Sequence, residues 1–220
     1  MNKTKKQSKA KTPKVLKESK FSPLSIEIIK KLKKSGFQAY LVGGCVRDLL
    51  AGIKPKDFDV STNATPEEVR KIFRSSRIIG KRFRLVHVFS RSELIEVSTF
   101  RANISSNENT SEVLKDAEGK ILRDNVWGTL EEDCIRRDFS INALYFDPLQ
   151  NLLHDFHNGL HHIQKKLLVS IGDPQLRFEE DPVRSLRAIR FSSKLNFKIS
   201  NDVDFNILKF GASLLVLIIN

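Results

Sequence analysis

Apolar residues recur at Leu24, Ile28, Ile29 and Leu32 and the run closes at Gly36, so the spacing predicts an amphipathic helix over 24–34. The next apolar stretch, Ala39 to Val42, is continuous, as in a short buried strand, and it ends on Gly43-Gly44. Val46 to Ala51 suits a helix before the breakers Gly52 and Pro55. Asp57-Phe58-Asp59-Val60 then has period two, which sets both carboxylates on one face of a strand and Phe58 on the other. Thr65-Pro66-Glu67-Glu68 is a capping box with proline at the first helical position, predicting a helix to about Arg74. Alternation over 84–90 and 94–100 about a short link predicts a hairpin.

Residues 102–119, rich in Ser, Asn, Glu and Gly, have no period and read as a mobile loop. A second capping box, Thr129 to Glu132, opens a short helix, and Ile141 to Phe146 suits another strand. From Gln164 the pattern turns helical. Val183, Leu186, Ala188, Ile189 and Phe191 are set among charges as in an amphipathic helix. The expected fold is therefore α/β: a head over 21–150 with a small mixed β-sheet and flanking helices, then the start of an all-helical neck over 151–220. No internal repeat is visible.

Charge adds a third region. The chain carries +12, and residues 1–20 hold eight lysines against Glu18, so +7 lies in that stretch alone. It lacks an apolar run and reads as a disordered basic tail, either an arm that raises RNA affinity or a solvated end. It also lacks the apolar core of a signal peptide. Leu214 to Ile219 is far shorter than the roughly 20 residues a bilayer span needs. The expectation is a cytoplasmic protein with no membrane partner. Cys45 and Cys134 stand apart without metal-type spacing and read as reduced, packed thiols.

The chemistry concentrates in residues 41–60. At Gly43-Gly44 no Cβ stands between the backbone N–H groups and a phosphate, and Arg47 follows in the first helical turn, where an anion is favoured. Asp57 and Asp59 are hard oxygen donors suited to Mg²⁺. Alone, the glycine pair is a common turn and Asp-x-Asp a common solvated strand end; together with Arg47 they suit a metal-bound nucleoside triphosphate. Glu96, a lone carboxylate in an apolar strand, lies on a solvated face or adds a third acidic group. His154, His157, His161 and His162 have no accompanying cysteine and a glycine break, so they do not read as a zinc site.

The glycine pair, Arg47 and the two aspartates together resemble the nucleotidyltransferase superfamily, in its class II branch of tRNA CCA-adding enzymes and bacterial poly(A) polymerases. Two further blocks extend the resemblance. Arg136-Arg137-Asp138-Phe139 with Asn142-Ala143 is similar to the family's RRDF-x-x-NA motif, and Glu180-Asp181, Arg184, Arg187-Ala188 and Arg190-Phe191 to its ED-x-x-R-x-x-R-A-x-R-F motif. By charge alone the last block is only a set of helical i,i+3 and i,i+4 pairs. Residues 80–88 and 122–133 are similar to the poly(A) polymerase side of the family more than to the CCA-adding side.

The resemblance implies a template-independent RNA nucleotidyltransferase that adds AMP from ATP to an RNA 3′ end, on mRNA or another RNA primer. The same-class alternative is CCA addition to tRNA, and a different class is an inactive RNA-binding remnant. It implies Mg²⁺ on Asp57 and Asp59, with Glu96 or Asp138 as the third acidic group and Asp138 among the catalytic residues. Gly43, Gly44, Arg47, Arg101, Arg137, Asn142, Arg187 and Arg190 would bind the nucleotide. Asp181 and Arg184 would read the base edge, a rigid donor fork beside an acceptor. The likeness fades after about Ile199-Ser200, and the terminal apolar run has no polar face, which suggests a C-terminal truncation.

Overall fold

The computed structural model describes residues 8–10, 12–80, 83–90, 93–102, 113–115, 121–124 and 126–209. Its strands are β1 (Ser8–Ala10), β2 (Ala39–Val42), β3 (Asp59–Thr62), β4 (Ser76–Ile79), β5 (Leu85–Ser90), β6 (Glu93–Thr99), β7 (Val113–Lys115), β8 (Ile121–Asp124), β9 (Leu144–Asp147), β10 (Leu152–Asp155), β11 (Leu167–Leu168) and β12 (Lys198–Ile199). Its helices are α1 (Pro23–Lys34), α2 (Gly44–Leu50), α3 (Pro66–Ile72), α4 (Leu130–Arg136), α5 (Gly159–Gln164), α6 (Pro174–Glu180) and α7 (Val183–Leu195), and residues 201–209 are also helical. Thr65 and Thr129 each form the capping box the sequence predicts, with Glu68 and Glu132 returning a bond to the cap amide.

Eight strands form one sheet in the order β1-β10-β9-β2-β3-β6-β5-β4, in which β3 and β6 are parallel and the other neighbours antiparallel. Register explains the two faces. Leu153, Phe146, Leu41, Val60, Val97, Val86 and Ile78 are successive partners across seven strands. They join the main core with Ile28, Ile29 and Leu32 of α1 and Val69 of α3. One residue along, His154, Tyr145, Val42, Asp59, Glu96, His87 and Arg77 are the partners. Because neighbours along a strand face opposite ways, this polar row lies on the other side of the sheet. There Tyr40, Val42, Phe100 and Tyr145 pack on Leu130 and Cys134 from the α4 side in a second, smaller cluster.

Several expectations need correction. The N-terminal stretch is not wholly a free tail: β1 extends the sheet beside β10, Thr12 donates to the Asn151 carbonyl at 2.7 Å, and Leu16 is fully buried. A three-residue strand and one isolated leucine leave no period to read, and the partner strand decides both. The 150 boundary cuts the β9–β10 pair, so the sheet continues to Asp155 and the following segment is not purely helical. Asp57 precedes β3 rather than lying in it, and residues 140–142 form a 3-10 turn ahead of β9. In α7 the buried face is Ser185, Ala188, Phe191 and Leu195, whereas Val183, Leu186 and Ile189 are exposed. The mobile loop expected over 102–119 lies mostly outside the described residues, as does the terminal run Leu214 to Ile219.

Candidate active site

The site begins where β2 gives way to α2. Gly43 caps α2 at φ +70°, in the left-handed region that favours glycine. A Cβ there would sit in ordinary contact with Arg137 Nη1 at 3.5 Å and Asp59 Oδ2 at 4.0 Å, so the turn lies beside both charged groups. β3 enters alongside, antiparallel to β2, with Asp59 opposite Val42, and the parallel β6 sets Glu96 beside Asp59. Asp57, just before the strand, is exposed.

These carboxylates feel one another. Burial first, then the charge of Glu96 and that of Asp57, pushes the Asp59 carboxyl up to about 6, against the opposing pull of Arg137. Glu96 also faces His87 Nε2 at 3.3 Å and is about half exposed. Among the described residues, no three His, Cys, Asp or Glu side chains already form a metal-holding cluster. Strand register sets Asp59 beside Glu96, with Asp57 just ahead of the strand; Asp57 and Glu96 are exposed and Asp59 is partly buried.

Across from the acids, a cleft of about 430 Å³ is walled by the glycine turn, Asp59 and Arg137 on one side and by Asp181, Arg184, Arg187, Arg190, Phe191 and Lys194 on the other. Arg137 is held by a buried network. Its Nε donates to the Tyr145 hydroxyl at 2.6 Å, its Nη2 lies 3.3 Å from Asp133, and Tyr145 donates in turn to Asp133. Burial opposes its charge, but Tyr145 and Asp133 more than offset this and keep Arg137 firmly protonated. Burial with the Asp133 charge holds the Tyr145 phenol above its ordinary range, against Arg137.

Arg47 is buried rather than presented. Nε donates to Asp48 at 2.7 Å, Nη2 lies 2.6 Å from the same carboxylate, and Nη1 donates to Asn142 Oδ1 at 2.7 Å. Asn142 passes the contact on, its Nδ2 donating to Asp138 Oδ1 at 3.0 Å. Asp138 also accepts from the Phe139 amide at 2.7 Å and pairs with Arg187 at 2.7 Å, and its side chain is only 8% exposed. Its oxygens are thus committed to positioning Asn142, the following backbone and α7.

Arg184 lies 3.3 Å from Glu180, donates to the Arg177 carbonyl at 3.3 Å, and is 4.0 Å from Asp181. Arg177 crosses to the head, its Nη2 donating to the Ile135, Arg136 and Arg137 carbonyls and so closing the C-terminus of α4. Arg101 is turned elsewhere. Its guanidinium lies 4.7 Å from the Phe83 ring, and its amide donates to Asp133 at 3.2 Å.

The cleft therefore gathers Gly43, Gly44, Arg47, Asp59, Arg137, Asp138, Asn142, Asp181, Arg184, Arg187 and Arg190 of the residues expected from sequence. Asp57 and Glu96 flank Asp59 outside it. Sequence reading passed over Asp48, Asp133, Tyr145 and Lys194. Asp48 had a visible signal, since it adjoins Arg47. Lys194 had a fainter one, seven residues after Arg187 on the same helical face. Cys45 and Cys134 are free and buried, and burial pushes the Cys45 thiol up to about 12.

The family model described as the Poly A polymerase head domain matches residues 39–169. Poly(A) polymerase I of Haemophilus influenzae is 51% identical over 177 residues, covering 80% of this chain and 39% of that protein. The CCA-adding enzyme of Bacillus licheniformis is 37% identical over 176 residues, covering 80% and 42% respectively. Among solved structures, the Bacillus stearothermophilus CCA-adding enzyme in complex with CTP aligns with a TM-score of 0.70 at 33% identity, covering 86% of this chain and 44% of that one. The chain thus spans about two fifths of the length of the curated relatives it matches.

Proposed function

Given that this chain belongs to the Poly A polymerase head-domain family, we propose that it is a template-independent RNA nucleotidyltransferase transferring AMP from ATP to an RNA 3′ end. The observation that carries the reading is the apposition, across one cleft, of a glycine turn and the Asp59–Glu96 pair with an arginine-rich helix face. The greater identity to poly(A) polymerase I, 51% against 37% for the CCA-adding relative, favours ATP as the sole nucleotide. CCA addition to tRNA is the second reading, supported by the likeness to a CCA-adding enzyme in complex with CTP.

Asp59 has two carboxylate neighbours that raise its proton affinity, and a divalent cation would relieve that repulsion, so the donor set fits Mg²⁺. Asp57 and Asp59 would hold it, with Glu96 as the third carboxylate in preference to the already committed Asp138. When bound, such ions activate the attacking hydroxyl and stabilise the departing pyrophosphate. The Gly43-Gly44 turn leaves room for a phosphate against the backbone. Arg137 stays charged beside Asp59 and balances negative charge there. Asp138 fixes Asn142 and Arg187 rather than touching the metal. Arg184 and Asp181 would meet the base edge, consistent with their place on the opposite wall.

Among the described residues no helix is long and apolar enough to cross a membrane. We assign the activity to the cytoplasm, where ATP and RNA meet. The test is primer extension on a short RNA with each nucleoside triphosphate, and on tRNA lacking its CCA end. ATP-dependent, Mg²⁺-dependent extension of the general primer is the expected result. Preferential CTP then ATP addition on the tRNA would transfer the reading to CCA synthesis, and no addition anywhere would reject an enzyme.

A further inference from the structure

The residue that the glycine-turn pattern assigns to phosphate is spoken for. All three side-chain nitrogens of Arg47 are engaged by Asp48 and Asn142, its guanidinium packs 4.9 Å from the Phe191 ring, and only 5% of the side chain is exposed. A guanidinium in that state braces α2: two of its five N–H groups remain, but on a side chain so nearly buried that it presents little surface to an incoming anion. The same cleft nevertheless holds a cation with donors to spare on the α2 side. Lys194 Nζ lies 3.3 Å from Asp48 Oδ2, lines the cleft together with Gly43 and Gly44, and has 46% of its side chain exposed. An ammonium carries three donors, and this pairing uses one.

Lys194 is also held in place. Arg187, Phe191 and Lys194 follow at i, i+4 and i+7 on α7 and share one face. Arg187 pairs with Asp138, Phe191 is buried between the Arg47 and Arg187 guanidiniums at 4.9 and 5.2 Å, and Lys194 reaches Asp48. A continuous polar chain thus leaves α7 at Arg187, passes through Asp138, Asn142, Arg47 and Asp48, and returns to α7 at Lys194. The ammonium at its end is fixed at the cleft wall with Asp48 behind it.

We propose that Lys194, rather than Arg47, is the side chain that binds the triphosphate of the incoming nucleotide on the α2 side of the cleft. The inference rests on the cleft being the nucleotide site, and it separates two jobs. Arg47 builds the site from within, and Lys194 faces the ligand. Arg190, one turn earlier, is exposed on the same wall and would share the anion without substituting for the fixed ammonium.

Calorimetric titration of the 220-residue chain in magnesium buffer tests this, using ATP, inorganic tripolyphosphate and adenosine as probes. Lys194→Ala should weaken ATP and tripolyphosphate binding roughly tenfold, the scale of one charge-assisted hydrogen bond, while adenosine binding stays unchanged. Lys194→Arg should restore most of the loss. Lys194→Met keeps the apolar stem and should show the same phosphate-selective loss, even where truncation to alanine harms folding. Equal weakening of all three probes would make Lys194 a strut and overturn the proposal. Unaltered tripolyphosphate and ATP binding in the alanine and methionine variants would overturn it too, while leaving the nucleotide cleft intact. Failure of the unsubstituted chain to bind either phosphate compound would bring down both readings.

Discussion

Asp59 illustrates how far one residue's behaviour follows from its neighbours. Its carboxyl is raised from 3.8 to about 6 by burial, Glu96 and Asp57. The fold therefore holds a proton there that the unfolded chain has released, in the window between those two values. Stability from this group is fully present below the lower value and is lost as pH rises through 6. Asp59→Asn, which keeps the shape and removes the charge, should therefore be more stable than the parent at pH 7 without divalent metal. The gap should close towards pH 4. Urea denaturation of both proteins in chelator across that range reads the difference directly, and a gap independent of pH would refute the assignment. In primer extension the same variant should lose activity by orders of magnitude if Asp59 holds the metal as proposed.

Arg47 and Arg184 make a contrasting pair at the same scale. Breaking a buried ion pair from one side strands the partner charge, so Arg47→Ala should cost about 3 kcal/mol of stability in a denaturant melt. Arg184 is held at the cleft by Glu180 and the Arg177 carbonyl, so its removal should act on choice more than on stability. Arg184→Ala is expected to narrow the preference for ATP over CTP and UTP in competition assays. An unchanged preference would reduce the residue to a helical ion pair.

At the scale of elements, legibility follows how local the cause is. Both capping boxes and the hairpin of β5 and β6 were readable because cap, proline and alternation lie within a few residues of one another. The parallel pairing of β3 with β6 was not, since it joins residues 59–62 to 96–99 across the intervening α3, β4 and β5. That pairing sets Glu96 beside Asp59, so the acidic row is a product of register that no window along the chain displays. The short β1, β11 and β12 were equally invisible, because two or three residues carry no period. Arg47 shows a different limit: it lines the cleft, but its burial against Asp48 and Asn142 could not be read from the sequence, which does not tell a guanidinium that faces a ligand from one that braces a helix. Asp138 repeats the lesson, since its commitment to Arg187 depends on how α7 docks on the head.

For the whole molecule, the uneven charge and the partly folded N-terminus give two effects that can be pulled apart. Residues 1–20 carry +7, yet Thr12, Leu16 and the Glu18–Lys30 pair belong to the folded head. Removing only residues 1–7 takes away three lysines, +3, without cutting β1. That deletion should leave the melting temperature unchanged while weakening RNA binding and flattening its salt dependence, since fewer counterions are released. Removing residues 1–20 should flatten the salt slope further and also lower the melting temperature. Loss of the buried Leu16 alone should cost about 2–3 kcal/mol or more, the usual penalty for emptying a leucine site. Melting curves and RNA titrations over a salt series, run on the two deletions side by side, separate the contributions. A salt slope equal to that of the parent in both would show that the basic stretch does not meet RNA. Equal melting temperatures in both would show that Leu16 and β1 add nothing to the stability of the head.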